Sequence, residues 1–138
     1  METWKQFEAN PLTHSAAHHL CAIQELGTKC GGWTRVTDIA HDLGVTRGTV
    51  SINLRSLKKR GLVVTGENRM VKLSPVGRVI VRNVRAKKTV VKSFLTTVLG
   101  VSERSAEVDS CKIEHLLSQR TGLRLARWLE QFRQGRRA

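Results

Sequence analysis

The sequence predicts a mostly α-helical protein in which a winged helix-turn-helix domain precedes a second, wholly helical domain. Three observations predict it: two helical segments that meet across Gly44-Val45, two β-rich runs directly after them, and three amphipathic segments in the remainder. At 138 residues and 40% hydrophobic content, the chain can bury one compact domain or a small domain with a dimerising extension. No uninterrupted apolar run reaches the length of a membrane span or a signal-peptide core, which points to a cytoplasmic protein with no membrane partner.

The first helix is expected over residues 11–26, because Leu12, Ala16, Leu20, Ile23 and Leu26 recur at helical spacing. Residues 29–34, with Cys30-Gly-Gly-Trp33, read as a turn or loop. A short helix over 36–43 stops at Gly44. Thr46 is a suitable N-cap for a third helix that runs to about residue 60, and Gly61 a suitable residue just past its end. Residues 62–65 and 70–73 are β-rich, and Gly66-Glu-Asn68 between them supplies turn residues, so a hairpin, the wing, follows the third helix. Pro75, after Ser74, opens a long helix to about residue 98 that Gly100 ends, with proline where its missing N–H costs nothing. Ser102 can cap a fifth helix to about 117, and 122–132 form a sixth with Leu123, Leu125, Ala126, Trp128, Leu129 and Phe132 apolar. The tail from Arg133 is expected to fray. The domain boundaries predicted are 11–74 and 75–133.

Charge is unevenly distributed. The formal net charge is +13, and residues 43–102 hold 13 of the 24 Lys and Arg with one acid, Glu67, so that segment alone carries +12. Such polarity suits a polyanion, since phosphate contacts by Lys and Arg release counterions. Double-stranded DNA is therefore the expected partner. Gly48, Thr49, Ser51 and Ile52 in the first turns of the third helix are placed for the major groove. Thr46, Arg47, Arg55 and Lys58 suit phosphates, and Arg69 and Lys72 of the wing a flanking phosphate or the minor groove. Val50, Leu54 and Leu57 are expected to face the core.

The segment Cys111-Lys-Ile-Glu114-His115 sets a thiol, a carboxylate and an imidazole on one side of a helix. With Ser118 they fall within about 100° of arc at 100° per residue. In the first helix His14, His18, Cys21 and Glu25 form a similar stripe, while His19 falls toward the apolar side. The donors suit a borderline divalent metal such as Fe(II), Zn(II), Co(II) or Ni(II). The candidate ligands are His18, Cys111, Glu114 and His115, with Cys21 one turn from His18 as a further candidate; His14 and Glu25 rest on periodicity alone and read as surface residues. Both stripes also read as solvated polar faces that each hold one cysteine. Three widely spaced cysteines give neither a C-x-x-C pair nor a disulfide framework. A thiol-redox-responsive regulator pairing Cys21 with Cys111 is a second reading. An enzyme using Cys111, Glu114 and His115 lacks any oxyanion-hole or substrate-pocket motif, so no small organic substrate is expected and the protein reads as a non-enzyme.

The order of elements resembles the diphtheria-toxin-repressor family of metal-dependent transcription regulators, with its iron- and manganese-dependent branches. The resemblance covers residues 14–132 and rests on Gly48-Thr-Val-Ser51, Lys59-Arg-Gly-Leu-Val-Val64, Leu73-Ser-Pro-Val-Gly77, Leu99-Gly100 and Cys111-x-x-Glu114-His115. It implies a homodimeric repressor of metal-uptake genes on a palindromic operator, with one divalent metal per subunit bound between the first helix and the dimerisation helices. Cys111, Glu114 and His115 match the family's C-x-x-E-H ligands. His18 falls where a methionine or an aspartate is the first-helix ligand, and Cys21 where the manganese branch has a glutamate. Lys88 and Lys92 stand where iron-dependent members have the His and Glu of a second metal site, and Glu107 where another His is expected. The match is to the short form, without the SH3-like third domain of longer members. The thiol at Cys111 favours Fe(II); a set with His18 would also hold Zn(II), and a Mn(II)-responsive member is a further alternative.

Overall fold

Residues 12–114 and 116–137 are described by the structure, a computed structural model. They form six helices and one hairpin: α1 (His14–Leu26), α2 (Val36–Leu43), α3 (Arg47–Lys59), β1 (Val63–Thr65), β2 (Val71–Leu73), α4 (Pro75–Thr97), α5 (Glu103–Ile113) and α6 (Gln119–Arg137). Two compact units emerge among the described residues, 12–82 and 83–137. The expected boundary at residue 75 is where α4 begins.

In the first unit, α1, α2 and α3 pack on one another. Thr13 caps α1 by accepting from Ala16 N–H at 3.1 Å, which starts the helix later than the periodicity of Leu12 suggests. Its apolar stripe, Ala16, Leu20 and Ile23, is buried together with Ala17, Ala22 and His19. Gly44, at φ +65°, ends α2 in the left-handed conformation that a helix C-terminus favours. Thr46 then accepts from Thr49 N–H at 3.1 Å and opens α3, whose Val50, Leu54 and Leu57 enter the core as expected.

The hairpin pairs Val63 with Leu73 and Thr65 with Val71 in antiparallel register. Its tip is tighter than a long loop: Met70 N–H returns to Glu67 C=O at 3.1 Å, with Asn68 and Arg69 both at positive φ. Two left-handed residues give the turn the twist of the strands it joins. Thr34, expected in a loop, instead bridges Val71 through two hydrogen bonds of 2.8 and 2.9 Å. That bridge satisfies backbone groups of a buried residue and adds a third, one-residue strand. Ser74 fastens the hairpin to α4: its hydroxyl donates to Gly61 C=O at 2.6 Å and accepts from Gly77 N–H at 3.1 Å.

In the second unit, Gly100 turns at φ +67° and Ser102 caps α5 by accepting from Ser105 N–H. The expected continuous helix to residue 117 is not formed. α5 stops at Ile113, because Ser118 accepts from Thr121 N–H at 3.2 Å and so begins the next helix. α6 accordingly starts three residues before the expected position and does not fray at Arg133; it continues to Arg137. Arg133 bonds the Ser93 hydroxyl, Gln134 reaches Glu130, and cationic side chains suit a helix C-terminus. Leu129 is buried, while Phe94, Trp128 and Phe132 form a ring cluster with centroids 5.8 and 5.2 Å apart.

Candidate metal centre and nucleic-acid interface

All but one of the residues expected to meet DNA are exposed on α3, its cap and the hairpin tip; the exception, Lys72 of the wing, is half-buried. Thr46, Arg47, Gly48, Thr49, Ser51, Ile52, Arg55, Lys58 and, on the hairpin tip, Arg69 are all exposed. Arg47 and Ser51 of α3, Asn68 and Arg69 of the tip, and Arg35, Val36 and Thr37 at the start of α2 line one cleft of about 420 Å³. A second cleft of about 440 Å³ shares Ser51 and Arg69 and adds Arg55 and Lys58. Four arginines from three chain segments thus converge on one face, an arrangement suited to phosphates. Arg35 was not among the sequence candidates. It precedes a helix by one residue, and no local pattern in the sequence marks it as a neighbour of the wing tip, with which it lines this cleft.

Several polar groups of α3 already have partners. The Thr46 and Thr49 hydroxyls lie 3.0 Å apart, the Asn53 amide donates to Thr49 C=O at 3.0 Å, and Lys58 Nζ donates to Thr65 Oγ1 at 3.0 Å. Lys58 therefore ties the helix to the wing. Lys72 lies over the Trp33 ring, 4.6 Å from its centroid.

On α1 the His14 and His18 rings meet edge to face with centroids 4.4 Å apart. Their spacing of four residues stacks them one turn apart, and Cys21, half-buried, follows on the next turn. His14, exposed as expected of a surface residue, nevertheless packs on His18. The signal was the i, i+4 histidine pair. His19 turns the other way, is buried, and bonds Ser15 C=O through Nδ1 at 2.7 Å.

Cys111 is half-buried near the end of α5, and Glu114 is 4% exposed one residue beyond its last turn. His115 lies outside the described residues. Ser118 is on the cap of α6 and does not extend the stripe of ligands. Burial pushes the Glu114 carboxyl up, with Lys88 the main opposing charge; burial, then the Glu114 carboxylate, pushes the Cys111 thiol up. Glu114 Oε2 is buried and has no hydrogen-bond partner among the described residues. A carboxylate oxygen held in that way is costly unless a cation meets it. All three cysteines are thiols. The donor set present, a carboxylate, a thiol and imidazoles, fits a borderline divalent metal.

Lys88 and Lys92 engage acids of α5. Lys88 Nζ lies 2.5 Å from Glu107, and Lys92 Nζ lies 3.0 Å from Glu107 and 3.2 Å from Glu103. Hydrogen bonds from both lysines hold the Glu107 carboxyl below the usual carboxylate range, and the same contacts raise both lysines. Ammonium groups and carboxylates here neutralise one another without a metal.

Residues 74–136 match the family model described as iron dependent repressor, metal binding and dimerisation domain. The chain is 37% identical over 90 residues to the transcriptional regulator MntR of Salmonella typhimurium, a match that covers 65% of this chain and 57% of the relative. It is 28% identical over 92 residues to the diphtheria toxin repressor of Corynebacterium diphtheriae, covering 67% and 41%. The chain therefore spans about half the length of these relatives. The fold is similar to that of IdeR from T. acidophilum (TM-score 0.66, 22% identity, 84% of this chain and 53% of that one). It is also similar to that of a hypothetical protein from Sulfolobus solfataricus (TM-score 0.72, 20% identity, 87% and 91%). Among the described residues no helix is long and apolar enough to cross a membrane.

Proposed function

We propose that the chain is a member of the diphtheria-toxin-repressor family of metal-dependent regulators, a reading supported by the family model over residues 74–136 and by the two relatives, and that it is a homodimeric transcriptional repressor of metal-uptake genes, activated by one divalent metal per subunit. The observation that carries the reading is Glu114: a buried carboxylate, inside a C-x-x-E-H segment, with one oxygen that has no hydrogen-bond partner among the described residues. Its ligand set joins Glu114, Cys111 and His115 with His18, as the family pattern implies, and adds His14, whose ring lies against that of His18. Cys21 is held in reserve, one turn from His18. Fe(II) is favoured, because a thiol at Cys111 takes a place where a carboxylate suits Mn(II) better; the imidazoles make Zn(II) the next choice.

Bound there, a divalent cation would add positive charge beside the Glu114 carboxylate and the Cys111 sulfur, beyond what Lys88 supplies. Cys111 must give up its proton to become a ligand, so affinity rises with pH. The α3 face and the Arg69 tip hold a DNA duplex, with Arg35, Arg47 and Arg55 on phosphates. Metal strengthens DNA binding only by the difference in its affinity for the DNA-competent and the free arrangement, which bounds the coupling.

The test is anaerobic calorimetric titration of the apo protein with Fe(II), Mn(II) and Zn(II), followed by DNA binding of each form. One tight site per subunit that switches on binding to a palindromic duplex, lost in Cys111→Ala, supports the proposal. Metal-dependent binding that survives in Cys111→Ala removes this site from the mechanism.

A further inference from the structure

One side chain of α3 is accounted for by neither packing nor charge. Ile52 is 66% exposed, more than any other large apolar side chain among the described residues. At about 100° per residue it shares the outermost line of the helix with Gly48, Arg55 and Lys59, opposite the buried Val50, Leu54 and Leu57. Isoleucine is a weaker helix former than alanine, so local propensity does not favour it there either. Gly48, one turn earlier, offers no side chain, which leaves Ile52 as the foremost apolar group in the first two turns. The neighbouring Thr49 hydroxyl and Asn53 amide are engaged within the helix. On the same face, Arg47 and Arg69 line one cleft and Arg55 and Arg69 the other, and both clefts share Ser51, the residue before Ile52.

We propose that Ile52 is a specificity-determining residue that reads the 5-methyl group of a thymine in the major groove. This rests on the DNA-binding reading above. The arginines that flank Ile52 fix the position of a duplex without reading its sequence, because phosphates are alike at every step. Ile52 has no donor or acceptor, so it distinguishes base pairs only by an apolar feature. On the major-groove edge the protruding apolar group is the thymine methyl; cytosine carries only a hydrogen at that carbon, and adenine and guanine carry no methyl. Contact between the isoleucine and that methyl removes water from both. The operator half-site therefore contains a thymine that a hydrogen-bonding residue at position 52 would not select.

The experiment uses the full chain loaded with Fe(II), Mn(II) or Zn(II). Duplexes are selected from a randomised library with the natural protein and with Ile52→Ala, whose folding is checked by circular dichroism; substitution at an exposed position by a better helix former keeps α3 intact. Each thymine of the selected duplex is then replaced singly by deoxyuridine, which deletes only the methyl. The expected result is one thymine per half-site where deoxyuridine weakens the natural protein about fourfold, the worth of one buried methyl, and leaves Ile52→Ala unaffected. Equal losses in both proteins, or no thymine whose methyl matters, would overturn the role of Ile52 while leaving DNA binding in place. A library that yields no enriched duplex with any of the metals overturns the DNA-binding reading itself.

Discussion

Replacing Glu114 by leucine separates the cost of this residue to the fold from its use. In the apo protein Glu114 is 4% exposed, one carboxylate oxygen lacks a hydrogen-bond partner among the described residues, and burial raises its proton affinity. An unsatisfied buried polar group costs about 1–3 kcal/mol, more when charged. Leucine removes that cost but also the attraction of Lys87 and Lys88, which are partly solvated and return about 1 kcal/mol or less. The net expectation is an apo protein more stable at neutral pH by about 1 kcal/mol, or roughly 3–5 °C in Tm for a chain of this size. The sign with pH follows from the raised carboxyl. The folded chain keeps the proton where the unfolded chain has lost it, so the natural protein gains stability as pH falls through the folded-state value, and the advantage of the variant shrinks there. Metal acts oppositely. At free metal a hundredfold above Kd the natural protein gains about 2.7 kcal/mol, and loss of a ligand removes most of that increment. Differential scanning calorimetry of both proteins, with and without Zn(II), between pH 4.5 and 7.5 reads all of these effects. A lower apo Tm in Glu114→Leu, or a full metal increment in that variant, would refute the reasoning.

Two further outcomes test other parts of the fold. Ser74→Ala removes a part-buried hydrogen bond to Gly61 C=O and the buried cap on Gly77 N–H, and should cost about 1–2 kcal/mol in urea denaturation with an unchanged m-value; a change under about 0.5 kcal/mol would mean that the wing is held by the strands alone. Glu107→Gln removes ion pairs with Lys88 and Lys92. Because its carboxyl is lowered in the folded state, that contribution is present above the usual carboxylate range and is lost as pH falls through the folded-state value. The Tm difference between the two proteins should thus be small, visible near pH 7 in low salt, and gone at acid pH or in molar salt; a difference that persists in molar salt contradicts the ion-pair account.

Local rules were strong where one residue decides one event. Thr46 and Gly44 set the ends of α2 and α3, and the apolar spacing of Val50, Leu54 and Leu57 fixed which side of α3 is buried. The break between α5 and α6 was not legible in that way. Ser118 can sit on a helix face or cap a new helix, and the choice falls to the hydrogen bond it accepts from Thr121 and to Lys87, which donates to Leu117 C=O at 2.9 Å from another helix. Thr34 likewise gave no strand signal, because its partner Val71 is 37 positions away in the chain.

The sequence by itself determined the element order, the polarised charge and the kinds of donor atom available, since periodicity, capping and net charge are local or additive properties. It named Cys111, Glu114 and the residues of α3 for the same reason. Tertiary structure alone decided which groups lack partners and which surfaces converge. That Glu114 Oε2 is buried without a hydrogen-bond partner among the described residues, that Arg35 joins Arg47 and Arg69 in one cleft, and that Ile52 stays exposed are outcomes of three-dimensional packing. Burial and proximity depend on chain segments far apart in sequence, and no local pattern encodes them.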